Sequence, residues 1–365
     1  MLIKQIRINN FRNIEALDIT PDSSVNLIYG PNGCGKTSFL EAISCLAMGR
    51  SFRNAKNTNL IKSGEPCYTL TAKIEQDNST LVDHIGLLRS KNRSDPVKIN
   101  INGHKTARLL DIIDKISLQI IHPQGTDLIS GGPSERRGYL DWGVYYSQTE
   151  FKQKWLVYRR LLEQRNALLK NKQQPFIPQQ FDVWDDMLAE LSEEITKMRN
   201  NYLADLLPEL ERLTTAFLPD IKLNFYLSQG WEKGLKLRDL LSLNLEKDRV
   251  LGYTFYGCHR ADLKVKANSF PAGETLSRGQ IKLLICAMKL SQGTVLYKKT
   301  GKRCIYLVDD LNSELDQHSR ELLLNEILSS KNQLFITNIT DDIQLPAGES
   351  SLRFNIKDSL IPAQQ

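Results

Sequence analysis

Residues 25–43 read VNLIYGPNGCGKTSFLEAI: an apolar run, a glycine-rich loop and a helix-forming run in immediate succession. Gly30 to Ser38 match G-x-x-x-x-G-K-[ST], the loop that joins a strand to a helix N-terminus in phosphate-binding sites. The order decides the chemistry. Backbone N–H groups of such a loop face phosphate oxygens, and the helix dipole favours their charge. Gly30, Gly33 and Gly35 are expected where the chain needs positive φ or a close backbone approach. Lys36 is placed to reach the β- and γ-phosphates of ATP, and the Thr37 hydroxyl to hold Mg²⁺. The expected ATP site is therefore Gly30, Pro31, Asn32, Gly33, Cys34, Gly35, Lys36, Thr37 and Ser38. Alkylation of Cys34 should block nucleotide binding, and ATP should protect it, unless this thiol is an unreactive small filler.

The 365 residues are 41% apolar and 25% charged, which is enough for a sizeable core in two or three domains. No apolar stretch approaches the roughly 18 residues of a membrane span. The first residues, MLIKQIRINNFRN, alternate apolar with polar and do not form a signal-peptide core, so a cytoplasmic protein without a membrane partner is expected. Six cysteines without a C-x-x-C pair, and histidines without metal-ligand spacing, suit reduced thiols better than disulfides or zinc. The net charge of +6 lies entirely in residues 1–110, which hold 15 Lys and Arg against 9 Asp and Glu; the remainder holds 33 of each. Within that third, LLRSKNRSDPVKININGHKTAR (87–108) reads as a basic hairpin with an Asn102-Gly103 turn. It suits either a phosphate backbone or a solvated strand pair.

Strand patterning covers 3–9, 25–29, 69–75 and 80–89, with a turn at 77–79, and predicts a β-rich N-terminal lobe. From Phe151 the period changes. Phe151, Trp155, Tyr158, Leu162, Arg165 and Leu169 recur at heptad spacing, as do Trp184, Leu188, Leu191, Ile195, Met198 and Tyr202. The segment KNKQQPFIPQQ between them suits a hairpin tip, so the pair is either an antiparallel arm or two helices of a globular core. After Pro219, strand and helix signals alternate to the C-terminus. The expected fold class is α/β: an ABC-type ATPase head with a mixed sheet and β-rich N-terminal lobe at 1–130 and 219–365, and an inserted α-helical arm at 131–218.

LSRGQ (276–280) precedes the helical run IKLLICAMKL and then RCIYLVDDLNSELD (303–316). The order of P-loop, LSxGQ, apolar strand ending in acid and S-E-L-D resembles the ABC-type ATPases and their SMC-like DNA-repair branch. Ser277 and the Gly279 amide stand at a helix N-terminus suited to a γ-phosphate. The resemblance implies that this helix and the P-loop lie apart on one head. One of each per chain then gives a two-fold pair with two ATP molecules between heads, where Ser277, Gly279 and Gln280 act in trans. It implies also that Asp309 joins Thr37 around Mg²⁺, that Asp310 positions or deprotonates the attacking water, and that Ser313 and Asp316 form a D-loop across the interface.

NFRN (10–13), GRSFR (49–53), GGPSERRGYLDWG (131–143) and GCHRADL (257–263) narrow the resemblance to the RecF family, over nearly the full chain. Its short helical arm fits the short heptads here. Gln124 falls near the Q-loop position, where the family often carries Glu, and a catalytic role is implied for it. Thr337-Asn338 stand where transporter ATPases have a switch histidine. Cys258 stands where the family often shows Pro, which leaves His259 and Arg260 between a site role and strand-end packing.

The resemblance implies a weak, DNA-stimulated ATPase of recombinational repair, replication restart and SOS induction. Its ATP-dependent homodimer would hold single-stranded, gapped and junction DNA until slow hydrolysis releases it. RecR and RecO would be partners, and RecA would be loaded in consequence. Asp310, shorter than Glu, suits a slow timer. Candidate phosphate contacts are Arg50, Arg53, Lys56, Arg89, Lys91, Arg93 and Lys105. The rival readings are a transporter ATPase subunit, opposed by the missing switch histidine and the inserted heptads, a non-hydrolytic ATP-binding module, and a P-loop metabolic kinase, opposed by LSxGQ.

Overall fold

The computed structural model describes residues 1–53, 57–77, 81–92, 94–122, 125–171, 176–311, 315–345 and 349–356. Lys56, Arg93, Gln124 and Ser313 lie outside the described residues, as does most of the turn expected at 77–79. The chain divides into two compact units, Met1–Gly125 with Lys282–Gln365, and Thr126–Ile281.

The first unit contains an antiparallel sheet and a parallel one. β1 (Leu2–Phe11), β2 (Ile14–Ile19), β4 (Cys67–Glu75), β5 (Val82–Ser90), β6 (Lys98–Ile101) and β7 (His104–Thr106) form the antiparallel sheet in the order β2-β1-β4-β5-β6-β7. The basic hairpin is there: β6 pairs with β7 across Asn102 and Gly103, both at positive φ, as a two-residue turn requires. β1 alternates inward and outward from Ile6 to Asn9 but not near its start, where Ile3 and Ile6 both point in, nor at its end, where Ile8 and Phe11 do. The register shifts between Ile3 and Gln5, and that irregularity accounts for the first of these steps.

β3 (Val25–Tyr29), β8 (Leu118–Ile121), β12 (Ile305–Val308), β13 (Gln333–Asn338) and β14 (Ser351–Asn355) form the parallel sheet in the order β14-β3-β13-β12-β8. β12 and β13 are buried along their whole length, as strands covered on both faces are. Gln333 joins the sheets: fully buried, it accepts from Ile3 N (2.7 Å) and donates to Ile3 O (3.0 Å) and Asp22 O (2.8 Å). The helices of this unit are α1 (Lys36–Met48), α2 (Leu110–Ile113) and α11 (Gln317–Ser329), with most of α10 (Arg278–Thr300).

The second unit extends beyond the helical segment expected at 131–218. It contains α3 (Asp127–Ser130), α4 (Pro133–Ser147), α5 (Phe151–Lys170), α6 (Asp182–Phe217), α7 (Leu237–Leu243), α8 (Leu245–Leu251) and α9 (Ala272–Thr275). A small sheet adds β9 (Leu223–Ser228), β10 (Asp262–Ala267) and β11 (Phe270–Pro271), in the order β11-β10-β9. α5 and α6 run antiparallel: Lys154 meets Glu194, Gln164 meets Trp184, and Arg165 meets Asp185.

Their seam is not purely apolar. Arg165 is fully buried and donates to Asp185 (2.6 Å), Asp248 (2.7 Å) and the Thr254 hydroxyl (2.9 Å). Arg199, also fully buried, grips both oxygens of Asp141 (2.7 and 2.9 Å) and donates to Cys258 O (2.6 Å). Two of the four strings that narrow the resemblance meet here as well. Arg136 of SERR forms a two-pronged pair with Asp262 of HRADL (2.7 and 3.1 Å), and Arg137 donates to Ala261 O (2.7 Å). His259 bonds Thr254 O through Nε2 (3.1 Å). A carbonyl only accepts, so Nε2 carries the proton and Nδ1 accepts from the Tyr158 hydroxyl (2.6 Å). Burial lowers the His259 pKa to about 4, which keeps the ring neutral.

Burial holds the Asp185 and Asp248 carboxyls above the usual carboxylate range, against the opposing pull of Arg165. A carboxyl whose folded pKa exceeds its unfolded one favours folding most in acid, and that contribution is lost as pH rises through the folded pKa. Arg165→Met removes the compensating charge. The expected loss at pH 8 is about 3–5 kcal/mol, and it shrinks at pH 5, as read from urea midpoints. Equal losses at both pH values would show that the orphaned carboxylates are not the cost.

Candidate functional site

The loop after β3 has the conformation that its glycines permit. Gly30, Gly33 and Gly35 have φ of +142°, +81° and +113°. Gly35 precedes α1 as its N-cap, and no side chain caps it, so the first N–H groups of the helix are presented to a ligand. Packing is close at the first glycine: a Cβ on Gly30 would sit 3.0 Å from Cys34 Sγ and 3.1 Å from Asn355 Oδ1. Lys36 Nζ donates to Gly30 O (2.6 Å) and Pro31 O (3.0 Å), folding its ammonium over the loop.

Strand order brings the acidic pair to this loop. β13 lies between β3 and β12, so Thr337 near its end stands beside Asp309, which follows β12. Thr337 Oγ1 donates to Asp309 Oδ1 (2.6 Å), and Thr37 Oγ1 lies 3.0 and 3.2 Å from the two carboxylate oxygens. Burial raises the Asp309 pKa and the adjacent Asp310 adds to it; the two hydroxyls and the charge of Arg53 oppose. The Thr37 hydroxyl and Asp309 carboxylate are hard oxygen donors side by side, a set that fits Mg²⁺. Asp310 has φ +54°, and its N–H donates to Thr337 Oγ1 (2.9 Å). Asp tolerates that left-handed backbone better than Glu does, which is a second reason for Asp at this position.

Several residues around the loop carry roles that their motif strings do not reveal. Asn13 donates to Gly33 O (3.1 Å) and accepts from the Ser38 hydroxyl (2.8 Å), bracing the loop from β1–β2. Arg12 forms a two-pronged pair with the fully buried Glu41 of α1 (2.8 and 2.9 Å) and donates to Asn59 O (2.9 Å). Glu41 also accepts from the Ser51 hydroxyl. Phe52 packs on His122 (5.0 Å between rings), and the same segment brings Arg53 into the field of Asp309. NFRN and GRSFR are thus the supports of one site.

The LSRGQ motif lies in the second unit and opens α10. Ser277 N donates to Gln280 Oε1 (2.9 Å) and Gln280 N donates to Ser277 Oγ (3.3 Å), a reciprocal capping box. Ser277 and Gly279 are exposed, and a Cβ on Gly279 would meet nothing within 4 Å among the described residues. Asp316 caps α11 through Ser319 N (3.0 Å) and the Ser319 hydroxyl (2.8 Å). Those bonds hold its carboxyl below the usual range. Of the DNA candidates, Arg50, Arg53, Lys91 and Lys105 are exposed, while Arg89 is half-buried and donates to Gly49 O (3.2 Å) at the end of α1. Among the described residues no helix is long and apolar enough to cross a membrane.

The family model described as RecF/RecN/SMC N terminal domain matches residues 2–356. The chain is 39% identical over 364 residues to the DNA replication and repair protein RecF of Haemophilus influenzae (strain ATCC 51907 / DSM 11121 / KW20 / Rd), covering 100% of this chain and 99% of that one. It is 40% identical over 341 residues to the protein of the same name from Pasteurella multocida (strain Pm70), with 93% of each covered. Among solved structures it is similar to the recombination mediator protein RecF-ATP in the RecFOR pathway, with TM-score 0.86, 29% identity and 97% and 96% of the two chains covered. A likeness to the Smc head bound to the C-winged helix domain of ScpA, at TM-score 0.55 and 14% identity over 93% and 90% of the chains, concerns the fold alone.

Asn13→Ala deprives Gly33 O and the Ser38 hydroxyl of this partner. A loss of roughly 1 kcal/mol, about fivefold in Kd for ATP, is expected by equilibrium titration. An unchanged Kd would remove Asn13 from the site. Alkylation of Cys34, followed by mass spectrometry, should be slowed by ATP and should abolish nucleotide binding; labelling indifferent to ATP would make the thiol a filler.

Proposed function

The chain belongs to the family of the DNA replication and repair protein RecF, within the RecF/RecN/SMC group, and on that premise we propose an ATP-dependent DNA-binding switch in recombinational repair and replication restart. Two copies close around two ATP molecules on single-stranded, gapped or junction DNA, and slow hydrolysis releases them. RecO and RecR are its partners, a reading supported by the RecFOR pathway of the similar structure, and RecA loading and SOS induction follow downstream.

The observation that carries this reading is Gly279. Its position is exposed, its φ is not positive, and a Cβ there would meet nothing within 4 Å among the described residues. Glycine costs a helix about 1 kcal/mol relative to alanine, so the missing side chain serves a group from outside, such as the γ-phosphate held by a second copy. The capping box pins a Ser277 lone pair on Gln280 N–H and leaves the hydroxyl proton free to turn outward as a donor.

On the P-loop side, Lys36 exchanges its two carbonyl partners for phosphate oxygens, while Asn13 keeps the loop in shape. Mg²⁺ held by Thr37 and Asp309 would offset phosphate charge. Asp310 accepts a proton from the water that attacks the γ-phosphorus, and the bond to the bridging oxygen breaks as ADP leaves. Thr337, at the transporter switch position, is spent on Asp309 and on the backbone of Asp310. This sets the chain apart from a transporter subunit.

Sedimentation of wild type, Lys36→Met and Asp310→Asn, with and without ATP and gapped DNA, tests the reading. Asn keeps the left-handed backbone at 310, so Asp310→Asn should fold, turn over ATP about 10²-fold more slowly and form longer-lived dimers. Lys36→Met should stay monomeric. A wild type that stays monomeric under every condition would overturn the sandwich.

A further inference from the structure

The segment between α7 and β10 leaves an apolar cluster on the surface of the second unit. Val250 of α8 is 83% exposed, more than any other large apolar side chain among the described residues, and Leu243 at the end of α7 follows at 81%. Leu251 and Tyr253, which come after Val250 in the chain, are exposed as well, and Phe255 is half-buried. Scattered apolar residues on a surface are ordinary, but several within one short segment mark a contact with something else.

Cations cover this cluster, and they lack acids. Lys247 Nζ lies 4.4 Å from the centre of the Phe255 ring, and the Arg260 guanidinium lies 5.6 Å from the same ring and 5.1 Å from that of Tyr253. Lys247 stands one turn before Val250 and Leu251 on α8, so the three share a face. A Cβ on Gly252, which ends α8 at φ +73°, would sit 3.4 Å from Lys170 Cγ, so a third cationic side chain borders the cluster. Lys170, Lys247 and Arg260 have no ion-pair partner among the described residues. Asp248 is buried and bound to Arg165, which leaves Glu246 as the exposed carboxylate of α8. A cation laid on an aromatic ring has lost part of its water while its charge stays unpaired, so a carboxylate from outside binds it strongly.

The surface is set from below. Thr254, between the two rings, is buried: its N–H and its hydroxyl each donate to Asn166 Oδ1 (2.8 Å), the hydroxyl accepts from Arg165 (2.9 Å), and the carbonyl accepts from His259 (3.1 Å). Phe255 N donates to Asp248 Oδ1 (3.0 Å). With Thr254 held inward, Tyr253 and Phe255 on either side are directed toward the surface. The buried Arg165 network thus fixes the rings it does not touch, and little ordering remains for binding. The chemistry then selects the occupant. A sugar–phosphate backbone would meet the cations but offers nothing to Leu243, Val250 and Leu251, and the rings on which bases would stack already carry cations. A second copy seated on the same patch across a two-fold axis would set like charges against each other. A peptide segment with carboxylates spaced among aliphatic or aromatic side chains satisfies both halves.

We propose that α8 and the Tyr253–Phe255 segment dock an acidic, apolar-anchored segment of a partner protein, with Lys247 and Arg260 meeting its carboxylates and Val250 and Leu251 its apolar side chains. Neither nucleotide nor DNA enters this contact, so it stands or falls apart from the function above. Fluorescein-labelled EDLFEDLF, its neutral counterpart QNLFQNLF and its apolar-free counterpart EDSSEDSS are titrated with wild type, Val250→Glu and the double variant Lys247→Ala/Arg260→Ala, and binding is read as anisotropy. A labelled oligothymidine is the fourth probe. Wild type should bind EDLFEDLF about tenfold or more tightly than either counterpart. Each variant should weaken that binding about tenfold, with thermal midpoint, ATP affinity and oligothymidine binding kept. A wild type that binds the three peptides alike, or none of them, would overturn the proposal. Unchanged affinity for EDLFEDLF in either variant would overturn the site. Weaker oligothymidine binding in either variant would make nucleic acid the occupant instead. Loss in either variant of an ATP-dependent dimer that wild type forms, read by sedimentation, would make it a second copy.

Discussion

A buried carboxylate held by two threonine hydroxyls organises the first unit. Asp309 is only 8% exposed, and a charge so placed must be surrounded by donors or ions. Its donors come from two places far apart in sequence: Thr37 at the start of α1 and Thr337 near the end of β13. Meeting that demand requires β13 to lie between β3 and β12. The same order places the loop, the helix N-terminus and Asp310 around one point. Asn13 and the Arg12–Glu41–Ser51 cluster then fix the surroundings from β1, α1 and the segment after it.

What could be read in the sequence follows the range of the interactions. The P-loop, its strand and its helix are local, and spacing alone puts Gly30, Gly33 and Gly35 in the loop and Lys36 and Thr37 at the start of the helix, where the structure has them. The Asn102-Gly103 hairpin is equally local. Thr337 was visible as a residue at the switch position, but its bond to Asp309 depends on strand order, which no short pattern contains. Asn13 and Arg12 stood in a recognised string without a role, because their partners lie 20 and 29 positions away. β2 gives no signal of its own between two stronger ones, although it pairs with β1 through five registered positions.

Buried charges leave even less trace in a sequence pattern. Arg165 sits in a heptad slot where an apolar residue would be expected, and Arg199 falls outside the stripe; both are fully buried. Their sense lies in Asp185, Asp248 and Asp141, acids that pattern reading assigns to solvent. Arg89 looked like a surface cation of a basic hairpin and instead supports the end of α1. The SERR and HRADL strings turn out to be partners of each other through Arg136 and Asp262. GCHRADL is accordingly held by strand-end packing, with a neutral His259 at its centre.

The 272 positions between Thr37 and Asp309 bear on how the protein is made. Both neighbours of β3 in its sheet, β13 and β14, come from the last part of the chain. At 5–20 residues per second, translation leaves roughly 15–55 s between the emergence of the P-loop and that of Asp309. Residues 126–281 are contiguous and can complete their own contacts in that interval. β3, which is apolar and destined for burial, must wait unpaired, the kind of segment that recruits chaperones or aggregates. Truncation before β12 would therefore leave a nascent chain with the entire phosphate-loop sequence and no phosphate site, so nucleotide binding reports that synthesis has passed β12 and the strands that flank β3.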